Sequence, residues 1–140
     1  MLDPAAIAFI AAIFMVGLFV FLAILWTGHK GHHFNVEYYQ VRFLAIENKL
    51  RKENSTSFAL VVIEADKLLD RALTEAGVPG NTLGERLKKN PNKFSDINAV
   101  WNAHKLRNYI AHEPDADISY TQAKNAIDSF KQALKDLGAI

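Results

Sequence analysis

The chain begins with a long apolar run that differs from everything after it. Residues 4–29 contain no Asp, Glu, Lys or Arg, and the segment from Ala5 to Trp26 is 22 residues long. A helix of that length measures about 33 Å, which is enough to cross a hydrocarbon core of about 30 Å. Trp26 would then lie at the membrane interface, where aromatic residues are common. The pattern predicts a transmembrane anchor at residues 4–26.

A cleaved signal peptide is the alternative for this segment. It would have a positively charged start, a shorter apolar run and small residues before the cleavage site. Here the only early charged side chain is Asp3, and the run ends in the bulky pair Leu25 and Trp26. A buried helix of a soluble protein would show a polar face, which this segment lacks. A retained anchor is therefore the favoured interpretation.

After a polar linker at residues 27–35, apolar residues recur at the three- and four-residue intervals of amphipathic helices. Four long helices and one short helix are predicted. The long helices cover residues 36–53, Ser55 or Ser57 to Gly77, Ser95 or Asp96 to about Ala111, and Ser119 to Gly138. The short helix lies within residues 81–94. No alternating strand pattern competes with them. The predicted fold class is all-α, with an anchor and linker at 1–33 and an antiparallel helical bundle at 34–140.

Charge is nearly balanced over the chain, but its distribution is informative. The 16 Lys and Arg against 15 Asp and Glu do not make a general nucleic-acid surface. The cluster of Arg86, Lys88, Lys89 and Lys93 is best interpreted as a solvated helix end. Cations from Lys30 onwards follow the apolar run, and only Asp3 precedes it, so the positive-inside rule predicts a cytoplasmic bundle. The absence of cysteine agrees with a reducing compartment.

Three histidines in the linker raise the question of a metal site. His29, His32 and His33 have no cysteine or nearby carboxylate to complete a ligand set, so a polar interfacial segment is the better interpretation. We expect neither a metal nor another cofactor.

The most specific chemical signal is the stretch KLRNYIAHEPD at residues 105–115. Arg107 offers a permanent charge and a planar fork for phosphate oxygens, and His112 can take up and return a proton near neutral pH. The pair suits attack by a ribose 2′-hydroxyl on the neighbouring phosphate, which would make RNA the substrate. The structural alternative is a salt bridge from Arg107 to Glu64, Asp66 or Asp70, with His112 capping the helix C-terminus.

The helix that carries this stretch has an unusual second face. Ala99, Ala103, Leu106 and Ile110 form the predicted bundle-facing stripe, while His104, Asn108 and His112 follow one another at intervals of four. Val100 and Trp101 add apolar groups to that second face, which predicts a docking surface such as a dimer interface. Arg107 and His112 are about 140° apart on an ideal helix, so they converge only if the arginine reaches across or the helix loosens before Pro114.

The sequence RNYIAH at residues 107–112 resembles the Arg-polar-x3-His signature of HEPN domains, and the order of helices over roughly 36–138 is similar to theirs. The resemblance implies a metal-independent endoribonuclease that acts as a homodimer with two motifs in one cleft. Arg107 would bind the scissile phosphate, His112 would transfer protons, and Asn108 would orient them, with His104, Glu64 and Lys105 in supporting or substrate-binding roles.

The resemblance leaves several functions open. The protein is expected to be a membrane-bound ribonuclease in defence, stress or RNA turnover, a toxin held by an antitoxin or regulatory protein, or a non-catalytic adaptor for a protein or nucleotide. Family members paired with nucleotidyltransferase antitoxins carry a tyrosine two residues after the histidine. Pro114 stands there in this chain, which argues against modification of that kind.

Overall fold

The computed structural model describes residues 3–27, 33–52 and 55–140, with the side chains of residues 24–27 left out. The chain divides into two compact units, Met1–His32 and His33–Ile140. Most of the predicted linker, including His29 and His32, lies outside the described residues, as does the side chain of Trp26.

The first unit contains one helix, α1, at Pro4–Thr27. Its segment Pro4–Ala23 is long and apolar enough to cross a membrane, and none of that segment is buried within the protein. A core helix of a soluble domain would be mostly buried, because apolar side chains are stabilised by leaving water. The predicted apolar N-terminal helix is therefore confirmed by length, composition and exposure.

The second unit is an antiparallel bundle of four long helices and one short one, as the sequence predicts. The helices are α2 at Val36–Lys49, α3 at Thr56–Glu75, α4 at Leu83–Lys89, α5 at Ile97–His112 and α6 at Tyr120–Asp136, with a 3₁₀ turn at Pro91–Lys93. No strand occurs in the described parts of the chain. The all-α class is confirmed, although α2 ends four residues before the predicted boundary at residue 53.

The helix ends follow local side-chain chemistry. Asp96 accepts a hydrogen bond from the Ala99 N–H at the start of α5, and Ser119 forms a capping box with Gln122 at the start of α6. Each contact satisfies an amide that has no partner inside its helix. Gly77 and Gly138 follow α3 and α6 with φ near +70° (69° and 73°), a region that glycine adopts without strain.

Helix α3 lies at the centre of the bundle and contacts α2, α4, α5 and α6. Its apolar positions recur along two sides, so it packs against neighbours in more than one direction. The largest fully buried side chains come from α2, α3, α4 and α6: Tyr39, Phe43, Val61, Val62, Leu69, Leu73, Leu87, Ile127, Phe130 and Leu134. This arrangement places α5 beside α3, and it brings the carboxylate of Asp66 on α3 against the motif helix.

Candidate functional site

Four polar side chains from α3 and α5 form a closed ring at the centre of the candidate site. His104 Nδ1 is 2.7 Å from Asp66 Oδ1, and Asn108 Nδ2 is 3.3 Å from His104 Nε2. Arg107 Nη1 donates to Asn108 Oδ1 at 3.0 Å, and Arg107 Nε lies 3.4 Å from Asp66 Oδ2. Three members are on α5 within five residues, and the fourth comes from α3, so the packing of these two helices creates the ring.

The ring fixes the roles of its hydrogen-bonding atoms. An ionised Asp66 only accepts, so His104 Nδ1 carries the proton and His104 Nε2 accepts from the Asn108 amide. This leaves Asn108 Oδ1 facing Arg107, which is the orientation that the guanidinium requires. Both ring nitrogens of His104 are therefore engaged, which suits a supporting residue and not a free proton carrier.

The contacts that Asp66 makes with His104 and with Arg107 differ in geometry. The Asp66 side chain is 5 % exposed, and the side chains of His104 and Arg107 are 12 % and 31 % exposed. The contact from Arg107 to Asp66 is an ion pair without hydrogen-bond geometry, because Arg107 Nε has no acceptor in bonding position. The short hydrogen bond of Asp66 is therefore the one it accepts from His104, and Arg107 Nε is buried beside the carboxylate without a hydrogen bond.

Trp101 and Gly84 lie against His104, one member of the polar ring. The Trp101 ring lies edge-on to His104, with 6.0 Å between centroids. A Cβ added at Gly84 on α4 would lie 3.5 Å from Trp101 and 3.6 Å from His104 Nε2. These are ordinary van der Waals distances, so α4 lies directly against Trp101 and His104 and an alanine would also fit at position 84.

A second buried cation lies on the same side of α3. Arg86 Nη1 on α4 donates to Asp70 Oδ1 at 2.7 Å, and the arginine side chain is 10 % exposed. Asp70 is one helical turn after Asp66, so α3 presents two carboxylates in line to α4 and α5. Arg86 is consequently held inside the bundle and is not part of a solvated basic cluster, contrary to the sequence interpretation.

His112 stands apart from this ring. It is exposed at the last residue of α5, and Glu113 leaves the helix in extended conformation before Pro114. The ring draws Arg107 towards α3, whereas His112 projects from another side of α5, as the 140° separation on a helical wheel implies. Within one chain the structure brings Arg107, Asn108 and His104 together and leaves His112 outside.

The other predicted supporting residues lie in different places. Glu64 accepts from Lys49 Nζ at 2.8 Å on the α2 side of α3, so Asp66 and not Glu64 contacts Arg107. Lys105 is exposed and lines an open groove of about 600 Å³ between α5 and α6, together with Tyr109. This groove lies beside the motif and has no ring member in its lining.

The two predicted dimer-interface residues, Val100 and Trp101, differ in how much surface they expose. Val100 is 2 % exposed within its own chain, so it has almost no surface to offer a second subunit. It is buried because α5 packs against α3 and α4 as well as against α6, whereas the wheel assumed one packing side. Trp101 is partly buried against the same core and keeps some accessible surface.

The sequence analysis named Asp66 and Asp70 only as possible salt-bridge partners of Arg107, and Asp66 makes that contact. It placed Arg86 in a solvated cluster and gave Gly84 no role. One available signal was the spacing of Asp66 and Asp70, which puts two carboxylates on one side of a helix whose neighbouring positions are apolar. Among the described residues, no group of three or more His, Cys, Asp or Glu side chains could hold a metal ion.

Comparison of the chain with protein-family models, with curated proteins and with solved structures gives no match. The function must therefore be inferred from the chemistry of the site itself.

Proposed function

We propose that the protein is a membrane-anchored, HEPN-type endoribonuclease that cleaves RNA by 2′-hydroxyl transesterification without a metal. The observation that carries the proposal is the way Arg107 is held. Asn108 and Asp66 fix the inner side of its guanidinium, where Nε is buried, while the side chain as a whole remains 31 % exposed. A phosphate oxygen could approach the exposed part of the guanidinium, because arginine is a permanent cation whose planar fork matches a phosphate.

His112 would supply the proton transfers in this reaction. As a base it would take the proton of the ribose 2′-hydroxyl, while the 2′-oxygen forms a bond to phosphorus and the bond to the 5′-oxygen breaks. His112 then gives that proton to the leaving 5′-oxygen, which yields a 2′,3′-cyclic phosphate and a 5′-hydroxyl. Arg107 would stabilise the extra negative charge on the phosphoryl group at the transition state. The exposure of His112 supports this role, since a proton carrier must reach the substrate.

A homodimer would resolve the separation of His112 from Arg107. In a two-fold assembly the same surface of each chain meets its copy, so the His112 of one chain could approach the Arg107 of the other. The exposed side of α5 carries Trp101, Lys105 and Tyr109 near the motif, and Tyr109 is 46 % exposed. Arginine and aromatic residues are common in such interfaces. Anchoring by α1 would confine two chains to one plane and raise their effective concentration.

The anchor also determines which RNA the enzyme meets. We propose a single span with the N-terminus outside and the bundle in the cytoplasm, because Lys30 and later cations follow the apolar helix. Cytoplasmic RNA is then the substrate, and an antitoxin or another regulatory protein is the partner that would restrain the activity.

A non-catalytic adaptor is the second candidate, and two observations favour it. The carboxylate of Asp66 already faces Arg107, and His112 lies outside the ring within one chain. A protein that binds a partner or a nucleotide would need the arginine for structure alone, and His112 would have no chemical role.

RNA cleavage by the purified full-length chain in detergent, with chelator present, tests the proposal. Wild type should cut single-stranded RNA, leave 2′,3′-cyclic phosphate ends and spare DNA of the same sequence. His112→Ala should lower the rate by about 10² to 10⁴, the range for loss of a positioned acid–base group. Arg107→Ala should be at least as damaging, and Arg107→Lys should restore little, because an ammonium lacks the fork.

His33→Ala is the matched control, since His33 is also exposed but lies before the bundle helices. It should keep the wild-type rate. Equal cleavage by wild type and His112→Ala would place the activity elsewhere. Absence of cleavage by a confirmed dimer on varied RNAs would favour the adaptor.

A further inference from the structure

The outer side of α2 and the adjoining side of α3 expose apolar side chains beside cations. In the described part of the bundle, five large apolar side chains are exposed, and four of them belong to these two helices: Val36, Val41, Leu44 and Leu60, the fifth being Tyr109. Val41 and Leu44 are 60 % and 56 % exposed, and they are three residues apart on one face of α2. Val41 and Leu44 therefore form a small exposed apolar pair on the outer face of α2, and apolar side chains that lie together on a surface are typical of a region that is covered in function.

A groove of about 290 Å³ between α2 and α3 carries the cations of this surface. Its lining includes Arg42, Lys49, Lys67 and Arg71. Tyr38 organises two of them: Arg71 Nη1 donates to the Tyr38 hydroxyl at 2.6 Å, and the guanidinium groups of Arg71 and Arg42 lie 4.6 Å and 5.6 Å from the ring centroid. We call Val41, Leu44 and these groove cations the α2/α3 surface.

The cations of the α2/α3 surface outnumber the acids that face them. Lys49 pairs with Glu64 at 2.8 Å, and Arg71 pairs with Glu75 at 2.9 Å. Among the described residues, no ion pair joins Arg42 or Lys67 to a carboxylate, and Glu64, which lines the same groove, is already paired with Lys49. Two uncompensated charges beside exposed apolar groups therefore remain available for an anionic ligand.

We propose that the α2/α3 surface rests on the anionic lipid headgroups of the membrane that holds α1. The inference depends on the membrane anchoring in the proposed function and does not depend on RNA cleavage. Lipid phosphates would bind at Arg42 and Lys67, while Val41 and Leu44 would enter the boundary between headgroups and acyl chains. Apolar side chains flanked by cations are the combination that binds helices to such interfaces.

The short connection between the two units supports a lipid as the occupant. Nine residue steps separate Thr27 from Val36, so the chain between them spans at most about 30 Å. Val41 and Arg42 lie less than two helical turns after the start of α2. A lipid surface is thus always within reach of the α2/α3 surface, whereas any other partner must be recruited.

Fluorescence of the full chain in lipid nanodiscs tests this inference. The chain has no cysteine, so Leu44→Cys can carry a single polarity-sensitive dye, and Asn125→Cys on exposed α6 serves as the comparison position. Discs contain either phosphatidylcholine alone or phosphatidylcholine with phosphatidylglycerol, and a nitroxide-labelled lipid acts as quencher. The dye at position 44 should shift to the blue and be quenched in anionic discs, and the dye at position 125 should not.

Charge reversal then identifies the residues responsible. Arg42→Glu with Lys67→Glu should abolish the quenching at position 44, since each cation near an anionic surface favours the bound population about fivefold. Lys88→Glu with Lys135→Glu makes the same change at other exposed positions and should leave the quenching unchanged. Circular dichroism checks that both double variants keep their helical content.

Each other outcome overturns a defined part of the inference. Equal, water-like emission from position 44 in both discs, with the chain retained in them, would mean that the α2/α3 surface does not contact lipid. Elution of the chain apart from the discs would remove the anchor and the inference together. Unchanged quenching in the Arg42→Glu, Lys67→Glu variant, with loss of its affinity for single-stranded RNA, would assign the cations to RNA instead.

Discussion

Asp66 is the residue on which the polar ring depends, because its two oxygens face the two basic side chains of α5. It accepts from His104 at 2.7 Å and neutralises Arg107 at 3.4 Å. A buried carboxylate without such partners would be strongly unfavourable, and buried bases without the carboxylate would be left without an acceptor. The ring therefore couples the position of the motif arginine to the packing of α3 against α5.

Replacement of Asp66 should test this coupling through stability. Asp66→Ala should lower the free energy of unfolding by about 2 kcal/mol, because His104 Nδ1 loses its acceptor in a buried position. Asp66→Asn keeps an oxygen for His104 and loses the ion pair with the partly exposed Arg107, so its effect should be smaller, about 1 kcal/mol. Urea unfolding of residues 33–140, a unit with its own core, provides the measurement.

The control for Asp66 is an exposed ion pair of the same chemical type. Asp128 accepts from Lys124 at 2.7 Å on α6, and both side chains are about half exposed, at 53 % and 50 %. Asp128→Asn should change the free energy of unfolding by less than about 0.5 kcal/mol. A similar loss in Asp128→Asn and Asp66→Ala would mean that the ring has no special role.

At the level of helices, local signals predicted the bundle well. The caps Asp96 and Ser119 and the terminating glycines Gly77 and Gly138 lie where the sequence places them, since each acts within a few residues of its own helix. What the sequence did not specify is which side of a helix meets which neighbour. Glu64 and Asp66 differ by about 200° around α3, so one faces α2 and the other faces α5.

The sequence also did not specify which helices cover α5, and this explains why the burial of Val100 and the contacts of Arg107 could not be assigned from it. A helical wheel orders residues around α5, but it does not say that α3 and α4 cover the side opposite α6. That packing buries Val100 at 2 % exposure and leaves His104, Arg107 and Asn108 partly buried. The order Arg107, Asn108 and His112 was visible in the sequence, and Asp66 was one of three carboxylates that the sequence offered as partners of Arg107. Only the packing of α3 against α5 shows which of the three makes the contact.

One helix–helix connection should make the stability of the bundle depend on pH. Asp136 near the end of α6 accepts from the Ser95 N–H at 2.7 Å and from the Ser95 hydroxyl at 2.8 Å, just before α5. Partial burial acts to raise the pKa of Asp136, but the hydrogen bonds from Ser95 and Gln132 outweigh it and lower the pKa. The stabilisation is therefore present above the ordinary pKa of 3.8 and is lost as the pH falls through the lowered value.

Asp136→Asn should consequently lower the free energy of unfolding of residues 33–140 at pH 7 and flatten its fall between about pH 5 and pH 3. Asp115→Asn is the control, because Asp115 is exposed in the turn between α5 and α6. Urea unfolding at several pH values gives the comparison. Parallel pH profiles for wild type and Asp136→Asn would contradict the role of this carboxylate.

At the scale of the whole molecule, the proposed function requires that the bundle and RNA share a compartment. The helix α1 is long and apolar enough to cross a membrane, and none of the Pro4–Ala23 segment is buried. Length and composition are shared by anchors and signal sequences, so retention and orientation depend on the flanking charges. With Asp3 before the span and Lys30 after it, the bundle is expected on the cytoplasmic side.

Cysteine labelling in intact cells tests both points, because the chain has no cysteine of its own. Thr121→Cys, at an exposed position of α6, should resist a membrane-impermeant maleimide until the cells are permeabilised. Asp3→Cys should react in intact cells, and its label should migrate with the full-length chain, because a retained anchor keeps residue 3. Loss of that label from the chain would mean that the segment is cleaved as a signal sequence. Immediate labelling at position 121 would place the bundle outside, where the lysines after the span would oppose the positive-inside rule and cytoplasmic RNA would be out of reach.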